Sequence, residues 1–323
     1  MRALYSALLA ALALATPAWA QDTKPIAARV EIHAISSLTL SDQQFLSGDT
    51  NGKPVTVTGE FRIAQGSGKL PVVVLLHGSG GMGPNIETWA REFNAMGIST
   101  FALDGFTGRG LTSVNMDQAL LGRLAFTLDS YRILELLAKH PRVDTSRIAL
   151  MGFSRGGQGA LFASLKRFHQ MWNKSGIDYA AYIPFYPDCM TTHVSDTEVD
   201  KPIRIFHGTP DDYNPVATCK KFVERLKGAG RDVVLTEYPN AQHGFDNPLG
   251  TAAPFMVKGA QTVRNCRLLE EPKGVLINAV SKEPFTYKDP CVEKDPHVNH
   301  DAEATNAARI AVKDFLRARF KVE

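Results

Sequence analysis

The stretch RIALMGFSRGGQGALFASL, from Arg147 to Leu165, joins two different rhythms at a cluster of glycines. Arg147–Gly152 is a short apolar run that reads as a buried strand, and a helical pattern follows from about Gly156 to Phe168. Ser154 stands at the junction, in the pattern Gly152-Phe153-Ser154-Arg155-Gly156. A strand that turns sharply into a helix around a serine exposes the hydroxyl. It also sets that hydroxyl beside the free backbone N–H groups of the helix N-terminus. Small residues must flank such a crowded turn, and Gly152, Gly156 and Gly157 do so. The motif alone is short enough to arise by chance, with Ser154 a spectator in a structural turn. Its strand–turn–helix context turns the reading toward a nucleophile.

Strand and helix patterns alternate on both sides of that junction. Arg29–Ile35 and Pro54–Ala64 carry the period-2 alternation of half-buried strands and predict an antiparallel edge. Leu70–Gly78 is instead a continuous β-branched run ended by glycine, as in a central parallel strand buried on both faces. A helix is expected around Glu87–Met96 and a strand over Ile98–Asp104. Gln118–Lys139 reads as one helix with Leu120, Leu121, Leu124, Leu128, Tyr131 and Leu134 or Leu136 turned inward. Three further strands are expected over Ala180–Pro187, Ile203–Gly208 and Asp232–Pro239, with a helix over Val216–Lys227 and an amphipathic closing helix over Ala304–Phe320. The alternation predicts an α/β fold: a mostly parallel, doubly wound sheet in three α/β/α layers, forming one domain over residues 21–323. Asn247–His300 breaks the rhythm with proline, glycine and charge, and reads as an excursion before the last helix.

The first twenty residues stand apart. Arg2 precedes an almost unbroken apolar run from Ala3 to Ala15, and Ala18-Trp19-Ala20 is a small-x-small cleavage pattern. This predicts a signal peptide over residues 1–20 and a secreted or periplasmic mature chain, since the run is short for a bilayer span. Removing Arg2 lowers the formal charge from +3 to +2, a balance that points to neither nucleic acid nor an anionic membrane surface. Four cysteines, Cys189, Cys219, Cys266 and Cys291, favour two disulfides in an exported protein, and no C-x-x-C spacing supports a metal instead. Of three possible pairings, Cys189–Cys219 with Cys266–Cys291 closes two separate loops and is the one expected.

A serine nucleophile needs a base, and the base needs an orienting carboxylate, in the chain order Ser, Asp or Glu, His for this architecture. After the strand at Ile203–Phe206 comes HGTPDDYNP, with Asp211 in the loop beyond the strand's carboxyl end. Asp212 is chemically equivalent, but the spacing H-G-x-x-D-x-x-x-P selects Asp211. His243 occupies the matching place after the strand at Asp232–Tyr238. His77 and His207 precede Ser154 and Asp211 respectively, and are expected to brace loops. Two backbone donors are expected to hold the oxyanion: Arg155, directly after the nucleophile, and Ser79 (or Gly80) in HGSGGMG. Asp295, His297, His300 and Asp301 in DPHVNHD resemble a metal-ligand cluster, but a polar approach to the final helix is the simpler reading, with no metal or cofactor expected.

LLHGSGG (75–81), GFSRGG (152–157), FYPDC (185–189), HGTPDDYNP (207–215) and AQHGFD (241–246), at these intervals, resemble the dienelactone hydrolase family. The resemblance covers roughly Thr56–Phe245 and the closing helix. It implies an α/β-hydrolase fold with nucleophile, acid and base at Ser154, Asp211 and His243. The dienelactone hydrolases proper are cytoplasmic and carry cysteine as nucleophile, so the serine and the leader point away from dienelactone as substrate. The expected activity is hydrolysis of a small-molecule carboxylic ester through an acyl-enzyme. Two alternatives are a serine peptidase similar to the prolyl oligopeptidases and a non-catalytic binding protein on the same fold. Peptidases of that kind usually carry a large preceding domain, whereas about fifty residues lie between the expected cleavage point and Val72.

Overall fold

The computed structural model describes residues 27–322, and the expected leader at 1–20 lies outside them. The strands and helices of the main body are, in chain order, β1 (Ala27–Thr39), α1 (Asp42–Ser47), β2 (Lys53–Ala64), β3 (Leu70–Leu76), α2 (Pro84–Ala95), β4 (Ser99–Asp104), α3 (Ala125–Leu137), β5 (Val143–Phe153), α4 (Arg155–Ala163), α5 (Lys166–Trp172), β6 (Ala181–Phe185), β7 (Thr191–Thr192), β8 (Ile203–Gly208), α6 (Val216–Gly228), β9 (Val233–Tyr238) and α7 (Ala302–Phe320). One eight-stranded sheet runs β1-β2-β4-β3-β5-β6-β8-β9. β2 is antiparallel to both β1 and β4, and every pair from β4 to β9 along the sheet is parallel.

The continuous apolar run of β3 explains the layering. Val72, Val74 and Leu76 pack into a core with Leu128 and Tyr131 of α3, Phe162 of α4 and Phe222 of α6. Val73 and Leu75 point the other way, against Trp89 and Phe93 of α2 and Val312 and Leu316 of α7. Successive side chains on a strand face opposite sides of the sheet, so both faces of β3 must be apolar and helix-covered. All five residues are fully buried. The result is an α/β-hydrolase-type three-layer body.

Two helix expectations need correction. Gln118–Lys139 is not one helix: residues 118–120 form a single 3-10 turn, Leu121 is extended, and α3 begins at Ala125. Gly122 lies so close to the chain that a Cβ there would meet the Leu40 carbonyl oxygen at 2.6 Å. Asp42 Oδ1 accepts the Leu124 N–H at 3.2 Å, which supplies a partner for a donor at the true helix start. Leu120, expected to face inward, is exposed. The helix expected over Gly156–Phe168 is likewise two helices, because Leu165 is extended and the Lys166 N–H bonds the Glu198 carbonyl.

Between Asn247 and His300 the chain adds β10 (Phe255–Met256), β11 (Gln261–Thr262), β12 (Leu268–Glu271), β13 (Val275–Asn278), β14 (Glu293–Lys294) and β15 (His297–Val298). β10 pairs with β15, β11 with β14, and β12 joins β13 and β7 in a small sheet. Its apolar cluster is small: Val263, Cys266 and Leu268, packed with Met190 from outside the segment. The disulfides are Cys189–Cys219 and Cys266–Cys291, the pairing expected from the sequence.

Candidate active site

Four loops meet at the carboxyl ends of β3, β5, β8 and β9, the edge where doubly wound sheets place ligands. Ser154 follows β5 with φ 55° and ψ −114°, a left-handed backbone that a serine adopts only under constraint. The constraint is visible on both sides. The Ser154 N–H bonds the Phe185 carbonyl at 3.0 Å, and the Ser154 carbonyl accepts the Gln158 N–H at 2.8 Å to open α4. A Cβ on Gly152 would fall 2.0 Å from the Gly156 carbonyl oxygen, and one on Gly156 2.2 Å from the Leu76 carbonyl oxygen. Only glycine fits either place.

His243 Nε2 lies 2.8 Å from Ser154 Oγ, and His243 Nδ1 lies 2.9 Å from Asp211 Oδ2. The second oxygen of Asp211 accepts the backbone N–H groups of Tyr213 and Asn214, both at 2.8 Å. The carboxylate is thereby fixed by its own loop. The imidazole is held by rings as well: Tyr213 stacks on it at 4.5 Å and Tyr186 meets it at 4.7 Å with a 62° tilt. Tyr186 donates to the buried carboxylate of Asp246 at 2.5 Å, and Trp89 Nε1 donates to the same group at 2.8 Å. Burial pushes the Asp246 carboxyl above its ordinary range and Tyr213 up to about 12.

The loop after β3 approaches from the other side. A Cβ on Gly78 would lie 3.4 Å from Ser154 Cβ, so this backbone passes directly against the serine. His77 braces it, with Nδ1 2.7 Å from the Gly78 oxygen and Nε2 accepting the Gly105 N–H at 3.2 Å. Burial holds the His77 imidazole down at about 4, so it is neutral in ordinary solution. Arg155 links this loop to the serine turn through its side chain. Its Nε donates to Ser79 Oγ at 3.3 Å, Nη1 to the Leu121 and Gly122 carbonyls, and Nη2 to the Gln118 carbonyl and amide oxygens. Ser79 and Arg155 are thus adjacent and mutually fixed. His207 sits buried behind the acid loop, its Nδ1 3.1 Å from the Gly208 oxygen.

A small cleft, with room for little more than a water molecule at about 30 Å³, opens beside Ser154, and Gln261, Thr262, Val263 and Tyr287 make one wall of it. The segment after His243 therefore returns to the site. Asp212 turns away from the imidazole and holds that segment, accepting from the His297 N–H at 2.7 Å and from Arg264 at 3.2 Å. The residues weighed as metal ligands have separate partners: His297 Nδ1 with Asp212, His300 Nδ1 with the Phe245 carbonyl, Asp301 as the N-cap of α7, and Asp295 with the Gly259 N–H. Sequence reasoning missed Tyr186, Tyr213, Asp246, Arg123 and Gln158 around the site. Three carried a local signal: Gln158 lies four residues after Ser154, Tyr213 two after Asp211, and Asp246 three after His243.

A large, mostly parallel sheet with helices on both faces and a serine in the strand-to-helix turn defines an α/β-hydrolase. The model of the dienelactone hydrolase family matches residues 60–270, more than half of the chain, and the protein belongs to that family. In overall fold it is similar to the dienelactone hydrolase-like promiscuous phosphotriesterase P91 from metagenomic libraries. That similarity has a TM-score of 0.56 and 18% identity, covering 90% of this chain and 98% of that one. Among curated proteins it is 25% identical over 215 residues to the uncharacterized peptidase YuxL of Bacillus subtilis, covering 56% of this chain and 32% of that protein. It is 32% identical over 98 residues to acyl-protein thioesterase 1 of Gibberella zeae, covering 30% of this chain and 41% of that protein. The chain thus spans less than half the length of either curated relative.

Proposed function

We propose that this protein is an exported serine esterase that cleaves small-molecule carboxylic esters. The observation that carries the reading is the strained Ser154, its Oγ 2.8 Å from His243 Nε2, with Nδ1 of the same ring 2.9 Å from the buried Asp211. In this reading Ser154 attacks the ester carbonyl while His243 takes its proton. Asp211 holds the imidazole tautomer and stabilises the imidazolium as charge develops. The backbone N–H groups of Ser79 and Arg155 receive the oxyanion. His243 then returns the proton to the leaving alcohol, and water hydrolyses the acyl-enzyme.

Turnover of p-nitrophenyl acetate tests this directly. Ser154→Ala is expected to reduce kcat/KM by roughly 10³-fold or more with no loss of thermal stability. Retention of the wild-type rate by the folded variant sinks the reading. Membership of the family and the apposition of the three side chains weigh against a non-catalytic binding protein, and failure of Ser154 to react with a fluorophosphonate probe would revive it. The match to a relative named as a peptidase supports a second reading, cleavage of peptide amides. Chromogenic peptide amides run beside the ester separate the two, and the ester is expected to be the faster substrate. Export rests on the leader pattern at 1–20 together with the two disulfides. The mature chain is expected to begin at Gln21 by intact mass, and an uncleaved chain in the exported fraction argues against it.

A further inference from the structure

Four groups meet at the carbon that Ser154 attacks in the serine-esterase reading, and that reading fixes the places of three. Ser154 Oγ forms the new bond, and the oxyanion turns to the backbone N–H groups of Ser79 and Arg155. The leaving alcohol has to stand where His243 Nε2, 2.8 Å from Oγ, can return a proton to it. The acyl chain takes the direction that remains. Ser79, Ser154 and Arg155 border the cleft, whereas His243 is not among the residues that line it. The cleft therefore lies on the acyl side of the ester, and the alcohol leaves by the side of His243.

That cleft is small, and its walls are tied. It has room for little more than a water molecule, about 30 Å³. A methyl group is comparable to water in size, whereas each further methylene needs space of its own in a close-packed site. Arg123 and Asp188 form a buried ion pair in the lining. Arg155 directs its guanidinium to five protein oxygens, on Ser79, Gln118, Leu121 and Gly122. The wall from the later segment is bonded to the body as well. Thr262 Oγ1 donates to the Tyr213 carbonyl at 2.6 Å, Gln261 Oε1 accepts the Gln118 N–H at 2.8 Å, and the Tyr287 hydroxyl accepts from Arg123 Nη1 at 2.9 Å. Widening the cleft breaks hydrogen bonds of buried and half-buried groups, a cost that an apolar acyl chain does not return in kind.

Resting on the serine-esterase reading, we propose that the substrates are acetate esters: the cleft takes a two-carbon acyl group, its methyl inside, and excludes longer chains. The alcohol lies outside this cleft, so the cleft does not restrict its size. Selection falls on the acyl side of the ester bond and not on the overall size or hydrophobicity of the molecule.

Butyl acetate and ethyl butyrate test this, because they are isomers with the same carbons divided differently about the ester bond. Each kcat/KM, followed by acid release, is divided by the hydroxide-catalysed rate constant of the same ester, which removes their difference in intrinsic reactivity. Butyl acetate is expected to be preferred by about 10-fold or more. Val263→Ala shortens a side chain in the wall and is expected to lower that preference by roughly 3- to 10-fold. Both readouts are ratios on one enzyme sample, so neither depends on the fraction of active protein. Equal normalised rates for the isomers, or a preference for ethyl butyrate, overturn the proposal and leave the esterase reading in place. An unchanged preference in Val263→Ala overturns the assignment of the acyl group to this cleft. Absence of turnover with both isomers overturns the proposal too, and lack of fluorophosphonate labelling at Ser154 then shows that the esterase reading fails with it.

Discussion

The body that holds the sheet and the segment from Asn247 to His300 stay folded by different means. In the body, β3 is buried on both faces, and aromatic side chains such as Trp89, Phe93, Phe101 and Phe162 are packed to less than 2% exposure. In the segment the strands are two to four residues long, and its apolar cluster is Val263, Cys266 and Leu268, one of them a disulfide cysteine, packed with Met190 from outside the segment. Val280 and Leu249 stand exposed at 76% and 79%. A region that buries so little has to be tied down by covalent and polar links: Cys266–Cys291, Asp212 with Arg264 and His297, and Arg264 with Glu293. Yet both regions border the cleft. The body carries Ser154, Asp211 and His243 on loops at the edge of its sheet, and the segment carries part of the wall on a scaffold of links.

The comparison breaks most readily in the body. Phe101 is fully buried on β4, and Phe101→Ala is expected to destabilise by about 3–5 kcal/mol through lost burial and the cavity left behind. Denaturant unfolding checks this, and a loss under about 1 kcal/mol would mean that the sheet is less tightly packed than the frame described above. Acid should also strike the body first. Burial depresses His77, His193 and His207, with His77 at about 4 against an ordinary value of 6.5. The unfolded chain then binds more protons in that window, so stability is full above pH 6.5 and lost as pH falls toward 4. His77 alone accounts for roughly 3 kcal/mol of that loss. A melting temperature flat from pH 7 to 4 contradicts this sign.

The segment should respond otherwise. The double substitution Cys266→Ser with Cys291→Ser opens a loop of sequence separation 25 and is expected to weaken the segment by about 3 kcal/mol. Ester selectivity should change while fluorophosphonate labelling of Ser154 persists. Loss of labelling would show that the wall and the reacting groups are not separable. The smallest effect is expected from Asp212→Asn, which weakens the ties to His297 and Arg264 at a partly exposed site, by about 1 kcal/mol or less. Limited proteolysis within 247–300 is the sensitive measurement, since it reads local opening where global melting does not.

How much of this was legible differs along the same line. The body announced itself: the unbroken run at Leu70–Leu76, the glycines around Ser154, and the order Ser154, Asp211, His243 are local patterns with a mechanical meaning. Asp211 and Asp212 were separable by spacing alone, and the structure gives the two neighbours different partners. The helix expected over Gln118–Lys139 failed because its break depends on the Leu40 carbonyl and on Asp42, about eighty residues earlier in the chain. The same is true of the cleft. Arg123, Asp188 and Tyr287 come from three distant segments, and no periodicity relates them. Asp246 was masked differently: three residues from His243, it reads as an ordinary loop acid until Trp89 and Tyr186 are seen to close on it.

The crowding at the serine turn also bears on how this protein can change over generations. With carbonyl oxygens 2.0 and 2.2 Å from where a Cβ would stand at Gly152 and Gly156, almost any substitution there displaces main chain, and Ser154 moves with it. That neighbourhood is effectively frozen to drift. Val263 and Tyr287, by contrast, reach the cleft from a segment held largely by its ties, where their neighbours are side chains of a small apolar cluster and not a crowded main chain. New substrate preferences would then arise by rewriting the wall while the chemistry beneath it is inherited intact.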